Sequence, residues 1–183
     1  MKRLGTYKLV VISLMAAFVM VSTFIGITIP IGGGSHTMIH LGNITCLLSG
    51  IFLGPLYGGL AAAIGSAAFD ILSPMYIASA PFTFIFKFIM VFICGKIAYC
   101  NGKNADDQFY NMLGAIVGSL VYILLRFIKS LVIKVCFLGM QIETALILTL
   151  NDVMLSLIKT VFVVIAVVIL VPLLKNKLGI KKL

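Results

Sequence analysis

Long apolar runs separated by short polar breaks extend through nearly the whole chain. About 20 apolar residues cross the hydrocarbon core of a bilayer. The runs therefore predict membrane-spanning helices at residues 9–29, 39–54, 56–72, 81–100, 111–138 and 147–173. The second and third are short, because Gly54-Pro55 interrupts one uncharged stretch and proline removes a backbone donor from a helix. The pattern predicts an all-α membrane protein with six transmembrane helices, in a single domain that covers residues 1–183.

The positions of the basic residues favour six helices over five. If the chain turns back at Gly54-Pro55, both termini lie on the cytoplasmic side, and most lysines and arginines outside the helices face the cytoplasm. This arrangement satisfies the positive-inside rule. With five helices, the four lysines near the C-terminus would lie outside.

Composition narrows the functional classes. Hydrophobic residues make up 62% of the chain and charged residues 10%, whereas soluble domains carry about 25% charged residues. No GxxxxGK[ST] phosphate loop is present, which argues against a nucleotide-hydrolysing module. The net charge of +9 is explained better by membrane topology than by nucleic-acid binding, since the basic residues lie at helix ends and within helices.

Four cations, Lys87, Arg126, Lys129 and Lys159, lie inside the predicted helices. A charge near the bilayer centre costs at least ~2.5 kcal/mol, so such residues usually face a polar cavity or a partner. The six-helix topology places all four in the central or outer half of the membrane, which predicts a wet cavity open to the outside. The excess positive charge suits an anionic or acceptor-rich ligand. Snorkelling to the headgroups is the alternative for Lys129.

Polar side chains on the last predicted helix extend this candidate site. Asn151 and Asp152 lie eight and seven residues before Lys159, along one stripe of a helix. We expect these three residues, together with Lys87 and Arg126, to contact the ligand. A structural ion pair with one lysine is the alternative for Asp152.

Two predicted outer loops add further polar groups. The first, residues 31–40, is rich in glycine, which predicts a mobile lid over the cavity. Its two histidines have the i,i+4 spacing of metal ligands, but they lack a neighbouring Cys, Asp or Glu, so we expect no metal. The candidate ligand-binding residues in and beside the loops are His36, His40, Asn43, Asp70 and Tyr76.

Small residues recur every four positions from Gly50 to Ser66, and again at Ser13 and Ala17 on the first helix. Such patterns let helix backbones approach closely in lipid. The first set predicts either packing within the protein or docking to a partner. We expect Ser13 and Ala17 to contact a partner helix.

The run from His40 to Asp70, HLGNITCLLSGIFLGPLYGGLAAAIGSAAFD, resembles the signature of substrate-binding S components of energy-coupling factor (ECF) vitamin transporters. It resembles most the branch that contains pyridoxine and hydroxymethylpyrimidine carriers and some proteins labelled riboflavin transporters. Such S components carry an Ala-x-x-x-Ala motif on the first helix, and the matching stretch here runs from Ser13 to Ala17.

The resemblance implies a six-helix protein of the bacterial cytoplasmic membrane that captures a water-soluble vitamin from outside, with no catalytic residues and no cofactor. The partners that it implies are a membrane scaffold, the T component, and two cytoplasmic ATPases. The chain has no tryptophan on which to stack a large ring. We therefore expect a pyridoxine- or pyrimidine-like ligand first and riboflavin second.

Two other functional classes stay open. A membrane enzyme would need a nucleophile with a base, or clustered acids for a metal, and the predicted helices offer one convincing acid, Asp152. A channel or stand-alone secondary transporter for a small anionic solute could use the same buried cations. The two halves of the chain differ strongly in polarity, however, and show no internal repeat.

Overall fold

The computed structural model describes residues 5–31, 35–103 and 105–178. In these ranges five helices follow one another along the chain: α1 (Thr6–Phe24), α2 (Gly42–Leu72), α3 (Ala80–Ala98), α4 (Gln108–Val132) and α5 (Ile142–Leu178). All five are long and apolar enough to cross a membrane, with mean hydropathies of 1.7 to 2.9. The prediction of a helical membrane protein is confirmed.

The segment between α1 and α2 differs from its prediction. The first predicted helix extended to residue 29, but α1 ends at Phe24 and the chain continues into a β-hairpin. Strands β1 (Gly26–Ile31) and β2 (Ser35–His40) pair antiparallel, with Gly26 opposite His40. Six-residue strands rich in Ile and Thr favour extended structure. Within the lid expected at residues 31–40, residues 35–40 belong to β2, and the glycines at 32–34 lie outside the described residues.

Helix α2 covers the second and third predicted spans, but its backbone reverses direction at Gly54. That residue has φ 79° and ψ 177°, a conformation open almost only to glycine. The two halves of α2 then lie side by side. Ser49 Oγ donates a hydrogen bond to the carbonyl oxygen of Gly58 at 2.9 Å, although in a straight helix these residues would lie about 13 Å apart along the axis.

The small residues of α2 pack inside the protein. A Cβ atom on Gly58 would lie 2.6 Å from Gly50 Cα, and one on Gly65 would lie 2.3 Å from the carbonyl oxygen of Ala16 in α1. A Cβ on Gly95 of α3 would lie 2.7 Å from Pro55 Cα. Of the two interpretations of the small-residue pattern from Gly50 to Ser66, these contacts match internal packing. The closest packing lies between α1, the two halves of α2, and α3, and the buried apolar core extends from there to Ala115 of α4 and Val167 of α5.

Helices α4 and α5 complete the bundle on the far side of α3. Asp107 caps α4 by accepting a hydrogen bond from the backbone N–H of Phe109 at 2.9 Å. At its other end α4 continues into one π-helical turn, Ile133–Phe137. Near the C-terminal end of α5, Lys175 Nζ lies 3.0 Å from Asp106 Oδ1. This contact ties α5 to the loop between α3 and α4.

Candidate ligand-binding cavity

A polar cavity opens at the end of the bundle next to the β-hairpin. It has a volume of about 140 Å³ and is bounded by α1, α2, α3, α4 and the turn before α3. We call this volume the outer chamber. Predicted site residues in its wall are His40, Asp70, Tyr76, Lys87 and Arg126.

Lys87 is the deepest cation of the outer chamber. Its side chain is 3% exposed, and its ammonium donates a hydrogen bond to the side-chain oxygen of Asn43 on α2. The ammonium also lies 4.4 Å from the ring centroid of Tyr122 on α4, within cation–π range. These contacts hold Lys87 against the chamber wall, and both of its partners come from other helices.

Two more cations of the outer chamber come from α4. The guanidinium of Arg126 lies 6.0 Å from the Tyr122 ring, on which Lys87 also rests. Lys129 Nζ donates to Ser79 Oγ at 3.0 Å and lies 4.6 Å from the ring of Phe82. Lys129 therefore lines the mouth of the chamber. The alternative prediction was that its side chain extends to the lipid headgroups.

Two polar atoms in the chamber wall have no hydrogen-bond partner among the described residues. They are Tyr76 Oη and His40 Nδ1, both buried. Burial first, and then the cations Lys87, Lys159 and Arg126, lower the pKa of His40 to about 3, so its imidazole is neutral at physiological pH. A buried polar atom without a partner costs about 1–3 kcal/mol. A ligand that formed hydrogen bonds with both atoms would offset this free-energy cost.

Asp70 lies in the chamber wall and is 8% exposed. Among the described residues that line the outer chamber it is the one carboxylate, facing Lys87, Arg126 and Lys129. The chamber thus keeps an excess of positive charge, as the sequence predicted.

A second cavity of about 30 Å³ adjoins the first and lies between α3, α4 and α5. We call it the inner chamber. The two chambers share His40, Tyr122 and Arg126 as a common boundary. Lys159 reaches the inner chamber from α5 and Asn43 from α2, so both of these predicted site residues are brought to it.

Asp152 lines, together with Arg126, a small cavity of about 30 Å³ between α4 and α5. Its Oδ2 atom is 3.1 Å from Lys134 Nζ, and Lys134 also donates to Thr149 Oγ1 at 3.3 Å. Lys134 is 3% exposed and belongs to the π-helical turn. Asp152 therefore makes the structural ion pair that was the alternative to its role as a ligand contact.

Asn151 does not line any of these cavities and is exposed on α5. Seven residues make nearly two full helical turns, whereas eight residues overshoot by about 80°. Asp152 can therefore share a face with Lys159 while Asn151 cannot. For this reason the structure does not bring Asn151 to these cavities.

His36 lies on β2, where its backbone pairs with Pro30, and its side chain falls outside the described residues. On a strand, residues four positions apart are separated by about 13 Å. The i,i+4 spacing of His36 and His40 therefore does not bring the two residues next to each other, as it would on a helix. The described residues contain no group of three His, Cys, Asp or Glu side chains placed to hold a metal ion.

Several hydroxyl-bearing side chains in the two chambers were missed by the sequence analysis. Helical spacing could have found them, since Ser79 and Thr83 precede Lys87 at intervals of four, and Tyr122 precedes Arg126 by four. On α5, Ser156 precedes Lys159 by three residues and Thr160 by four. The missed residues with hydroxyl groups are Thr23, Ser66, Ser79, Thr83, Ser119, Tyr122, Ser156 and Thr160.

Ser13 and Ala17 lie away from both chambers, on the exposed face of α1. Large apolar side chains on the same helix are also exposed, among them Leu14 at 70% and Phe18 at 55%. No residue in the described part of the chain covers this face of α1.

Comparison with known proteins finds a matching family model and a similar solved structure. A family model described as "ECF-type riboflavin transporter, S component" matches residues 3–176. A solved structure described as "Structure and mechanism of the S component of a bacterial ECF transporter" is similar with a TM-score of 0.68. The alignment covers 95% of this chain and 98% of that chain at 22% identity, which shows a shared fold. No curated protein matches the chain in sequence.

Proposed function

The chain belongs to the family of ECF-type riboflavin transporter S components, and from this premise we propose that it binds riboflavin at the outer face of the membrane for import. The family match supports riboflavin ahead of the pyridoxine- or pyrimidine-like ligand that we expected first. S components are substrate-binding parts of transporters, so the proposed role is capture of a vitamin without catalysis.

The observation that carries this proposal is the pair of orphaned polar atoms beside buried cations in the outer chamber. Tyr76 Oη and His40 Nδ1 lack partners, while the ammonium of Lys87 is 3% exposed and close to the same cavity. The flavin ring system presents carbonyl oxygens and ring nitrogens along one edge. These acceptors suit an ammonium and a hydroxyl donor in a site shielded from water.

Aromatic side chains in the outer chamber support a flat ligand. Phe69 and Tyr76 lie with ring centroids 6.3 Å apart, and Phe86 and Tyr122 line the same chamber. Offset stacking on such rings contributes about 0.5–1.5 kcal/mol beyond area burial. These phenylalanine and tyrosine rings can stack on a flat ligand in a chain that has no tryptophan.

The proposed topology has six membrane crossings with both termini in the cytoplasm. The reversal at Gly54 and the hydrogen bond between Ser49 and Gly58 support two crossings within α2. The chambers then open on the outer side, next to the β-hairpin, while Lys103 and Lys175 lie on the inner side. This placement in the cytoplasmic membrane follows the positive-inside rule.

The proposed partners are a membrane scaffold, the T component, and two cytoplasmic ATPases. The exposed face of α1 around Ser13 and Ala17 supports a helix contact with the scaffold, since two small residues one turn apart allow close approach. ATP hydrolysis by the partners would supply the energy for release inside the cell.

Binding of riboflavin to the purified protein tests the proposal. Flavin fluorescence should be quenched on binding by stacking on tyrosine, and the protein contributes no tryptophan signal of its own. Excess unlabelled pyridoxine and hydroxymethylpyrimidine serve as competitors. Tight quenching that neither competitor reverses supports riboflavin. Binding of either competitor without binding of riboflavin contradicts the proposed ligand and leaves the transporter family unaffected.

Uptake into liposomes separates an S component from a stand-alone transporter. The purified chain alone should bind riboflavin without accumulating it, because the energy comes from the partners. Gradient-driven accumulation of the vitamin by this chain alone would contradict the proposed role.

A further inference from the structure

A groove lies at the end of the bundle opposite the β-hairpin. It runs between the first turns of α1 and the point where α2 reverses direction, and it is lined by Lys8, Val11, Ile12, Leu53 and Tyr57. The three residues from α1 share one face of that helix, since residues three and four positions apart are neighbours. The groove therefore places three apolar side chains next to one cation and one tyrosine.

Lys8 and Tyr57 lie at the level where a bilayer has its headgroups. The ammonium of Lys8 is 5.5 Å from the centroid of the Tyr57 ring, within cation–π range. Lys8 belongs to the first turn of α1, which has 19 residues. At 1.5 Å per residue such a helix is about 28 Å long, close to the ~30 Å thickness of the hydrocarbon core. Its first turn therefore reaches the interface, where tyrosine and lysine side chains are favoured.

No carboxylate within the chain is placed to neutralise Lys8. The chain has five acidic residues, and none of them lines the groove. At the same end of the bundle, Asp106 pairs with Lys175 and Asp107 pairs with Lys103. The other three lie toward the end that carries the hairpin: Asp70, Glu143 and Asp152. An anion beside Lys8 therefore has to come from outside the protein.

The groove is continuous with the lipid-facing surface of the helices. Leu9, Val10 and Leu14 of α1 are exposed, and so is Leu56 of α2. In a membrane these side chains contact acyl chains, because no other apolar partner among the described residues covers them. An acyl chain that lay in the groove would extend the same contact between the two helices, with its headgroup next to Lys8.

The groove is separate from the face of α1 that we assign to the scaffold. A helix turns by about 100° per residue, so Ser13 and Ala17 lie about 140° and 180° around the axis from Lys8. A lipid in the groove and a partner helix on the opposite face can therefore be bound at the same time.

We infer that this groove binds one anionic phospholipid, with the phosphate next to the Lys8 ammonium and an acyl chain along Val11, Ile12 and Leu53. The contact between ammonium and phosphate is a charge-assisted one, and such contacts are among the stronger polar interactions in proteins. The headgroup carries a net negative charge, which Lys8 neutralises. This inference depends on the membrane fold and not on the identity of the vitamin.

Native mass spectrometry of the purified chain tests the site with dioleoyl phosphatidylglycerol and dioleoyl phosphatidylcholine, which share their acyl chains and differ in net charge. The wild type should bind one phosphatidylglycerol about fivefold more tightly than phosphatidylcholine, the contribution of one lysine beside an anionic lipid. Lys8→Gln should abolish this preference. Lys96→Gln removes an exposed lysine at the same end of the bundle, in the last turn of α3, and as the matched control should retain it.

A second variant tests the apolar part of the groove. Val11→Phe fills the space between α1 and α2 and keeps every charge, so it should weaken the binding of both lipids. A wild-type unfolding midpoint in detergent verifies that this variant is folded. Inorganic phosphate at the same concentrations should not displace phosphatidylglycerol, because it lacks the acyl chains.

Equal loss of the preference in Lys8→Gln and Lys96→Gln would overturn the inference, since general surface charge would then explain it. Displacement by inorganic phosphate would show a phosphate site without a lipid. Unchanged lipid binding by Lys8→Gln, together with weaker assembly with the scaffold and ATPases, would assign the groove to the partner. None of these measurements uses the vitamin, so their failure is distinct from a failure of the proposed function.

Discussion

Lys134 Nζ lies 3.1 Å from Asp152 Oδ2, and this ion pair joins the π-helical turn after α4 to the first half of α5. The lysine side chain is 4% exposed and the aspartate side chain 18%. The pair lies next to the cavity below Arg126, which Asp152 lines. It holds α5 against α4 close to the proposed ligand site.

Breaking this ion pair should destabilise the protein. Lys134→Met leaves the carboxylate of Asp152 partly buried without its partner, and we expect a loss of about 2–4 kcal/mol in the free energy of unfolding. The double variant Lys134→Met/Asp152→Asn should recover most of the loss, because no charge then remains. Thermal unfolding in detergent measures both. Equal stability of the wild type and Lys134→Met would show that the pair contributes nothing.

Removing the Lys87 ammonium should weaken ligand binding. Lys87→Met keeps the volume but loses the donor that faces the outer chamber and Asn43, and we expect about 1–3 kcal/mol of lost binding free energy. Lys96→Met, at an exposed position near the other end of α3, is the matched control. Flavin titration of both variants gives the comparison. An unchanged dissociation constant for Lys87→Met would remove Lys87 from the site.

Because the backbone reverses direction at Gly54, we expect both ends of α2 to lie on the same side of the membrane. In a cysteine-free protein, single cysteines at Leu41 and Met75 should both react with a membrane-impermeant thiol reagent added to intact cells, since both residues are exposed at the same end of the bundle. A cysteine at Lys103 should react only after the cells are opened. Reaction at one of the first two positions but not at the other would support five crossings.

The neutral state of His40 should make the protein sensitive to acid. Its pKa is about 3 in the folded protein and 6.5 when unfolded, so the unfolded state takes up a proton first as the pH falls. This residue should therefore remove about 2 kcal/mol of stability between pH 7 and pH 5. The unfolding midpoint of His40→Gln should fall less over that range than the midpoint of the wild type. Parallel curves for the two proteins would contradict a lowered pKa.

A bulky residue on the exposed face of α1 should block transport but not binding. Ala17→Trp would hold a partner helix away, while the chambers contain no residue from this face. We expect loss of ATP-driven riboflavin uptake in cells that supply the scaffold and ATPases, with unchanged riboflavin affinity of the purified protein. The control is Phe18→Trp, which introduces the same side chain at the exposed neighbouring position, where the native phenylalanine is already bulky. Loss of binding in a folded Ala17→Trp protein would place this face in the ligand site.

The sequence alone determined the helical membrane class, because apolar runs of this length have no other stable environment than lipid. It also predicted that the cations inside the helices face polar cavities, since charges are too costly to leave in hydrocarbon. Lys87, Arg126 and Lys159 all line the chambers. These inferences needed only residue type and position along the chain.

Only the tertiary structure decided which polar groups meet. Asp152 and Asn151 are neighbours in sequence, yet one pairs with Lys134 and the other is exposed on the outside of α5, because the rotation of α5 against α4 fixes which face is buried. Likewise the hydroxyls of Ser119 and Thr160 form one chamber only because α4 and α5 pack side by side. Helical spacing relates such hydroxyl groups to the cations on the same helix, but it cannot show which helices face one another. These hydroxyl groups line a common cavity only because helices that are distant along the chain pack together.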